Sequence, residues 1–246
     1  MRYNRVLIKL SGGAFSSGAE ASIEREAVDA LVAEILSLTE IGVQVAIMVG
    51  GGNIFRGRLA DDWGIERAEA DSIGMMATIV NSLILRGALT AHNSPEVRVM
   101  TAIPIASVAE PYIRLRAIKH LEKGYLVVFA AGIGQPFVTT DYPSVQRAIE
   151  VRADAILAAK QGANGVFTAD PKLDPNARRY AEITYDDVVS NGIKIMDQSA
   201  FILARDHQIP IHVVDAAASG SMRDILDGKD AGTYVGPDAV TRFADD

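Results

Sequence analysis

The 246-residue chain contains no cysteine, which removes disulfides, thiolate catalysis and cysteine-ligated metals together and fits a reducing compartment. It also lacks an excess of positive charge. At a net charge of -7, no global positive field exists to hold a nucleic acid polymer or an anionic membrane surface. Any phosphate ligand has to be met by local cations. Neither common nucleotide fingerprint is present: there is no G-x-x-x-x-G-K-[ST], and no G-x-G-x-x-G closes a strand. The histidines, at 92, 120, 207 and 212, form no i, i+4 pair and no metal-ligand spacing, and are read as structural or solvated. No apolar run is uninterrupted for the length of a bilayer, and "MRYNRVLIKLSGG" enters a strand-like run without a signal core. The expectation is a soluble cytoplasmic protein. No internal repeat, low-complexity tract or linker divides it.

What is present is a chain 49% apolar, enough to bury a substantial core. β-Branched-rich runs at Val6 to Leu10, Val43 to Val49, Val97 to Met100, Tyr125 to Ala130, Ala155 to Ala159 and Ile211 to Val214 alternate with helix-period segments. Strands apolar on successive residues and separated by amphipathic helices predict an α/β fold with a mainly parallel sheet covered on both faces. The clearest helix carries Val28, Leu31, Val32, Ile35 and Leu36, with Ser22 as its cap and Gly42 at its end. A second spans Ala70 to Ala91 and is more apolar than one sheet face needs, which suits a subunit interface or a position between two layers. After Gly162 the chain turns polar, with two Asp-Pro pairs, and a second lobe or flap begins that shares the same sheet. Further helices are expected at Asp187 to Ser190, Ser199 to Asp206 and Met222 to Leu226. Trp63, in the polar stretch "DDWGIERAEAD", is read as a packing anchor within a connecting loop.

Three glycine-rich loops follow strands: "KLSGG" at 9 to 13, "GGGN" at 50 to 53 and "AAGIGQPF" at 130 to 137. Parallel strands place all three on one edge, where ligands of open α/β sheets bind. Backbone amides converging there with Lys9 and Arg56 describe a polyphosphate site. Lys9 closes an apolar strand, where a phosphate partner would offset its burial; a snorkelling edge lysine is the alternative. Asp141, Asp170 and Asp197 each stand just outside an apolar segment, placed to hold Mg2+, to orient cations, or simply to cap a helix or turn. Asp71 fits a helix N-cap or an acceptor for ribose hydroxyls.

At these loops the sequence resembles the amino acid kinase superfamily, and within it the bacterial uridylate kinases. "IKLSGGAF", "GGGNIFRG", "ADSIGMMAT", "AGIGQPFVTTD", "ILAAKQGANGVFTADPKLDP", "KIMDQSAFILARDH" and "IPIHVV" occur in family order over nearly the whole chain. The resemblance implies one αβα sandwich over residues 1–246, with a UMP-binding lobe to about residue 160 and an ATP-binding lobe from about 161. It implies Mg2+-dependent phosphoryl transfer from ATP to UMP in pyrimidine nucleotide biosynthesis, a homohexamer, and GTP and UTP as effectors. By position, Lys9, Leu10, Ser11 and Gly12 belong to the loop at the ATP phosphates, and Gly52 and Arg56 to the phosphates near transfer. Gln161, Phe167 and Asp170 fall at the adenine nucleotide. Gly51, Asp71, Ile133, Gly134, Gln135, Pro136, Phe137, Val138, Thr139 and Thr140 fall at UMP, and Lys9, Arg56, Asp141 and Asp197 carry the chemistry.

The chain departs from the family pattern in places. Ile133 and Gln135 stand where "GTGNP" is usual, Gly13 replaces a common Glu, and Asn164 a common Asp. Arg86 and Arg98 match positions tied to GTP regulation, while Thr90 stands where a His can occur. Two other readings compete: a relative that phosphorylates a carboxylate or carbamate, and a non-catalytic nucleotide- or oxyanion-binding storage or sensor protein on the same fold.

Overall fold

The structure, a computed structural model, describes residues 2–16, 23–162, 164–171 and 173–244. Strands β1 (Arg5–Leu10), β2 (Gln44–Val49), β3 (Val97–Thr101), β4 (Glu110–Pro111), β5 (Leu126–Ala130), β6 (Ala155–Lys160), β7 (Tyr180–Ile183), β8 (Ile211–Asp215), β9 (Thr233–Val235) and β10 (Arg242–Phe243) form one sheet. Their order is β10-β7-β9-β8-β6-β1-β2-β5-β3-β4. From β8 to β4 every neighbouring pair is parallel, whereas β9 runs antiparallel to β8 and β10 antiparallel to β7. The mainly parallel sheet follows from residues apolar on both faces. In β1, Val6, Ile8 and Leu10 enter one core and Leu7 the other; in β2, Val45, Ile47 and Val49 oppose Ala46 and Met48.

Both faces therefore need a helical cover. Helices α1 (Arg25–Thr39), α3 (Arg67–Ala91) and α8 (Ser221–Leu226) close the first, contributing Leu31, Leu85 and Met222. Helices α4 (Arg114–Glu122), α5 (Asp141–Val151), α6 (Tyr185–Ser190) and α7 (Gln198–Asp206) close the second through Leu121, Val145, Val188 and Phe201. A short α2 (Gly57–Trp63) packs on α3. Each large apolar side chain buried in these cores contributes about 1.5–3 kcal/mol, so the cores are what hold the strand tips at fixed positions.

Several expectations shift at helix ends. Ser22 lies outside the described residues, and Glu24 occupies the N-cap position of α1 without a side-chain cap bond. Helix α3 begins at Arg67 with Glu66 at its cap, so Asp71 is not an N-cap but sits in the second turn. By length and composition alone α3 could cross a bilayer, although Asn81, Ser82 and Arg86 interrupt its apolar stretch; here it packs on β3 and β5. Trp63 is the last residue of α2 rather than part of a loop, 69% exposed and set edge-on to the Phe55 ring, so it does not anchor a packed cluster. Strands β4, β7, β9 and β10 were not foreseen, being two to four residues long.

Candidate active site

Strands β6, β1, β2 and β5 are consecutive in the sheet and parallel, so the loops leaving their carboxyl ends meet at one edge. They line a cleft of about 690 Å3 that includes Ser11, Gly12, Gly51, Gly52, Ala131 and Gly132. The glycines are required because the loops touch one another. A Cβ on Gly12 would stand 2.7 Å from the Asn53 nitrogen, one on Gly50 2.8 Å from the Gly12 nitrogen, and one on Gly51 2.7 Å from the Gly74 carbonyl. None of these glycines has a positive φ, so close approach rather than left-handed backbone explains Gly12, Gly50 and Gly51, whereas a Cβ on Gly52 would meet only Arg56 Cγ, at 3.9 Å.

Side chains of α3 brace two of the loops. The fully buried Asn81 donates to the Gly50 carbonyl at 2.8 Å and to Asn53 Oδ1 at 2.7 Å. The Thr78 hydroxyl accepts from the Ala131 N–H at 2.7 Å and donates to the Met75 carbonyl. Ala131 has φ +61°, a conformation costing an alanine about 1–2 kcal/mol, so the buried hydrogen bond its N–H donates to Thr78 offsets strain where the third loop starts.

The cations come from the parity of two strands. Lys9 follows Leu7 on the face covered by α5, and Lys160 follows Ile156 and Ala158 on the same face of neighbouring β6. Lys9 is 4% exposed, and its Nζ lies 2.5 Å from Asp141 Oδ1 at the first residue of α5. Asp141 Oδ2 accepts from the Asp197 N–H at 3.1 Å, and Asp197 Oδ2 accepts from the Thr139 hydroxyl at 2.6 Å. Burial alone would raise the Asp141 carboxyl's pKa, but the ammoniums of Lys9 and Lys160 and the Asp197 N–H together hold it below the ordinary range. Lys160 lines the cleft, and burial followed by the nearby Lys9 charge pushes its ammonium down to about 8. Lys9 holds the ion pair with Asp141, while Lys160, close enough for the charges of Lys9, Asp141 and Asp197 to act on it, is the cation that faces the cleft and can meet an entering phosphate.

The other expected residues divide into three sets. Arg56, Asp71, Ile133, Gln135, Val138, Thr139, Thr140 and Gln161 line the cleft. Arg56 folds back, its Nε donating to the Gly52 carbonyl at 2.6 Å. Asp71 accepts from Arg67 Nε at 3.0 Å and from the Phe137 N–H at 2.7 Å, which ties α3 to the third loop. A second cavity of about 590 Å3 is lined by Phe167, Asp170 and Gln161, and shares Gln161, Lys194 and Ile195 with the first. Leu10 belongs to neither: its side chain is core and its carbonyl accepts from the Gly50 N–H at 2.8 Å. Gly134, Pro136 and Phe137 shape the third loop without lining the cleft, Phe137 being 68% exposed. Sequence reasoning missed Lys160, Lys194 and Arg67. Lys160 bore the signal that identified Lys9, a lysine closing an apolar strand.

Among the described residues no group of three or more His, Asp or Glu could hold a metal ion. Both oxygens of Asp141 are engaged, by Lys9 and by the Asp197 N–H. The donor set suits Mg2+ arriving on a nucleotide's own phosphates, with Asp197 as the carboxylate next to the cation pair.

Fold and cleft together define an α/β protein built to receive phosphate groups at the carboxyl edge of its sheet. The model of the amino acid kinase family matches residues 4–215. A uridylate kinase from Frankia alni is 54% identical over 234 residues, covering 95% of this chain and 91% of the relative. A UMP kinase structure from Bacillus anthracis superposes with a TM-score of 0.96 at 54% identity, over 99% of this chain and 100% of the other. One from Ureaplasma parvum gives 0.89 at 34% identity, over 96% and 100%. The chain belongs to the amino acid kinase family and, within it, to the uridylate kinases.

Proposed function

We propose that this protein is a UMP kinase, transferring the terminal phosphoryl group of ATP to UMP to give ADP and UDP in pyrimidine nucleotide biosynthesis. The observation that carries the reading is the cleft itself: glycine-rich loops from three strand tips line it together with Lys160, beside the buried Lys9–Asp141 ion pair. Phosphoryl transfer needs in-line placement and charge neutralisation rather than a nucleophilic side chain. UMP occupies the cleft of loops 50 to 53 and 130 to 140, with Asp71 on its ribose; ATP occupies the second cavity, its phosphates reaching the glycines at 12 and 52. The N-terminal lobe, to about residue 160, thus serves the acceptor, and residues from about 161 the donor. Mg2+, when bound with ATP, neutralises donor oxygens. Lys9 and Arg56 meet the charge on the moving group, and Asp141 keeps the two lysines in register. No base is required, because the acceptor oxygen is already an anionic phosphate.

The same reading makes the protein a soluble cytoplasmic homohexamer under GTP and UTP control. Half-exposed Met76 and Val80 on α3 suit a subunit contact, and a cavity of about 620 Å3 lined by Arg86, Thr90 and Arg98 suits an effector phosphate. An assay of ADP release across UMP, CMP, dUMP and small carboxylates tests the substrate. Preference for UMP is the expected result; a carboxylate preference, or ATP binding without turnover, would reverse the reading.

A further inference from the structure

Arg147 has no part in the mechanism above, yet it is a charged side chain only 6% exposed. It lies on α5, six residues beyond Asp141. One arm of its guanidinium donates to Glu150 Oε2 at 2.5 Å, and the other donates to the Gly132 carbonyl at 3.3 Å. The guanidinium carbon stands 3.6 Å from the centroid of the Tyr112 ring, and the Tyr112 hydroxyl donates to Glu150 Oε2 at 2.5 Å. Gln146 donates to the other oxygen of Glu150 at 2.9 Å. The fork is thus fixed from two sides, by stacking and by a carboxylate that is itself held.

Gly132 is where the third loop turns into the cleft. Ala131 and Gly132 are consecutive left-handed residues, at φ +61° and +53°. Thr78 holds the N–H of the first from α3, and Arg147 holds the carbonyl of the second from α5. We infer that Arg147 is a positioning residue for the acceptor nucleotide: from behind the cleft it fixes the main-chain path of residues 131 to 137. Because Asp141 is on the same helix, one rigid element sets both the Lys9 ion pair and the loop. The inference rests on the assignment of this loop to UMP.

The test compares wild type with Arg147→Lys, which keeps a cation beside Glu150 but loses the fork, and with Tyr112→Phe, which removes only the hydroxyl bond to Glu150. A charge-assisted hydrogen bond lost from the loop should raise the KM for UMP about tenfold or more in Arg147→Lys, with the KM for ATP within about twofold. Tyr112→Phe should show the same split at about threefold. Amide exchange at residues 131 to 137 of the ligand-free protein should quicken in both variants, with thermal transitions close to wild type. Parallel movement of both KM values, or unchanged loop exchange in a folded variant, overturns the inference. If Arg147→Lys fails to fold, Tyr112→Phe decides alone. Wild-type failure to phosphorylate UMP would sink the functional reading instead, and loop exchange would still judge the clamp.

Discussion

Lys160 gives the most quantitative consequence of the geometry. Its ammonium is held down to about 8 by burial and by the charge of Lys9. A phosphate entering the cleft that Lys160 lines restores its ordinary preference for a proton, so binding and protonation are linked. In the free protein about half of Lys160 is neutral at pH 8 and about a tenth at pH 7. UMP is already a dianion there, its second phosphate pKa being about 6. Binding UMP should therefore take up about half a proton at pH 8, about 0.1 at pH 7 and nearly one at pH 9. Affinity is fully present below pH 8 and weakens by up to about tenfold per pH unit above it. Calorimetric titration in buffers of different ionisation enthalpy reads the uptake directly, and Lys160→Met should abolish it. Absence of uptake at pH 8 to 9, or uptake that persists in Lys160→Met, would refute the placement of this cation at the phosphate.

Asp141→Asn leaves the buried Lys9 ammonium without its carboxylate; a loss of about 3–5 kcal/mol in urea unfolding is expected, with kcat down by orders of magnitude in whatever fraction folds. Asp71→Asn should raise the KM for UMP while sparing that for ATP, and an equal loss in both would count against the ribose assignment. His212, 3% exposed and accepting or donating to the Tyr3 hydroxyl at 2.9 Å, has its pKa pushed down to about 3 by burial, with the Arg2 charge adding to the shift. An unfolded histidine takes up a proton near pH 6.5, so the folded state loses stability as pH falls from 6.5 towards 3, by about 2 kcal/mol at pH 5. Urea melts at pH 7 and pH 5 should show that difference in wild type and not in His212→Phe.

The site was legible where local chemistry and topology agree. Three glycine loops, each after an apolar run, could only meet at one edge once the sheet was parallel, and a lysine in "LIKL" is costly without an anion. Lys160 satisfies the same rule in "AILAAK" but was lost because its loop is polar and no glycine triplet marks it. The start of α3 was hidden because "ERAEA" forms helix without apolar periodicity or a Ser, Thr or Asn cap, which misplaced Asp71. The short strands β4, β7, β9 and β10 are too brief to show a period of two. Arg147 was invisible for a different reason: its role depends on a carbonyl fifteen residues away, and nothing in "SVQRAIE" announces it.

The most direct measurement is a crystal structure with UMP and a non-hydrolysable ATP analogue. The account predicts the UMP phosphate within the cleft of Gly51, Gly52 and Thr140, close to Lys160, with the analogue's terminal phosphate between it and Gly12. A nucleotide phosphate seated away from the glycine loops and from Lys160, or strand tips that part so that Lys9 no longer meets Asp141, would contradict it.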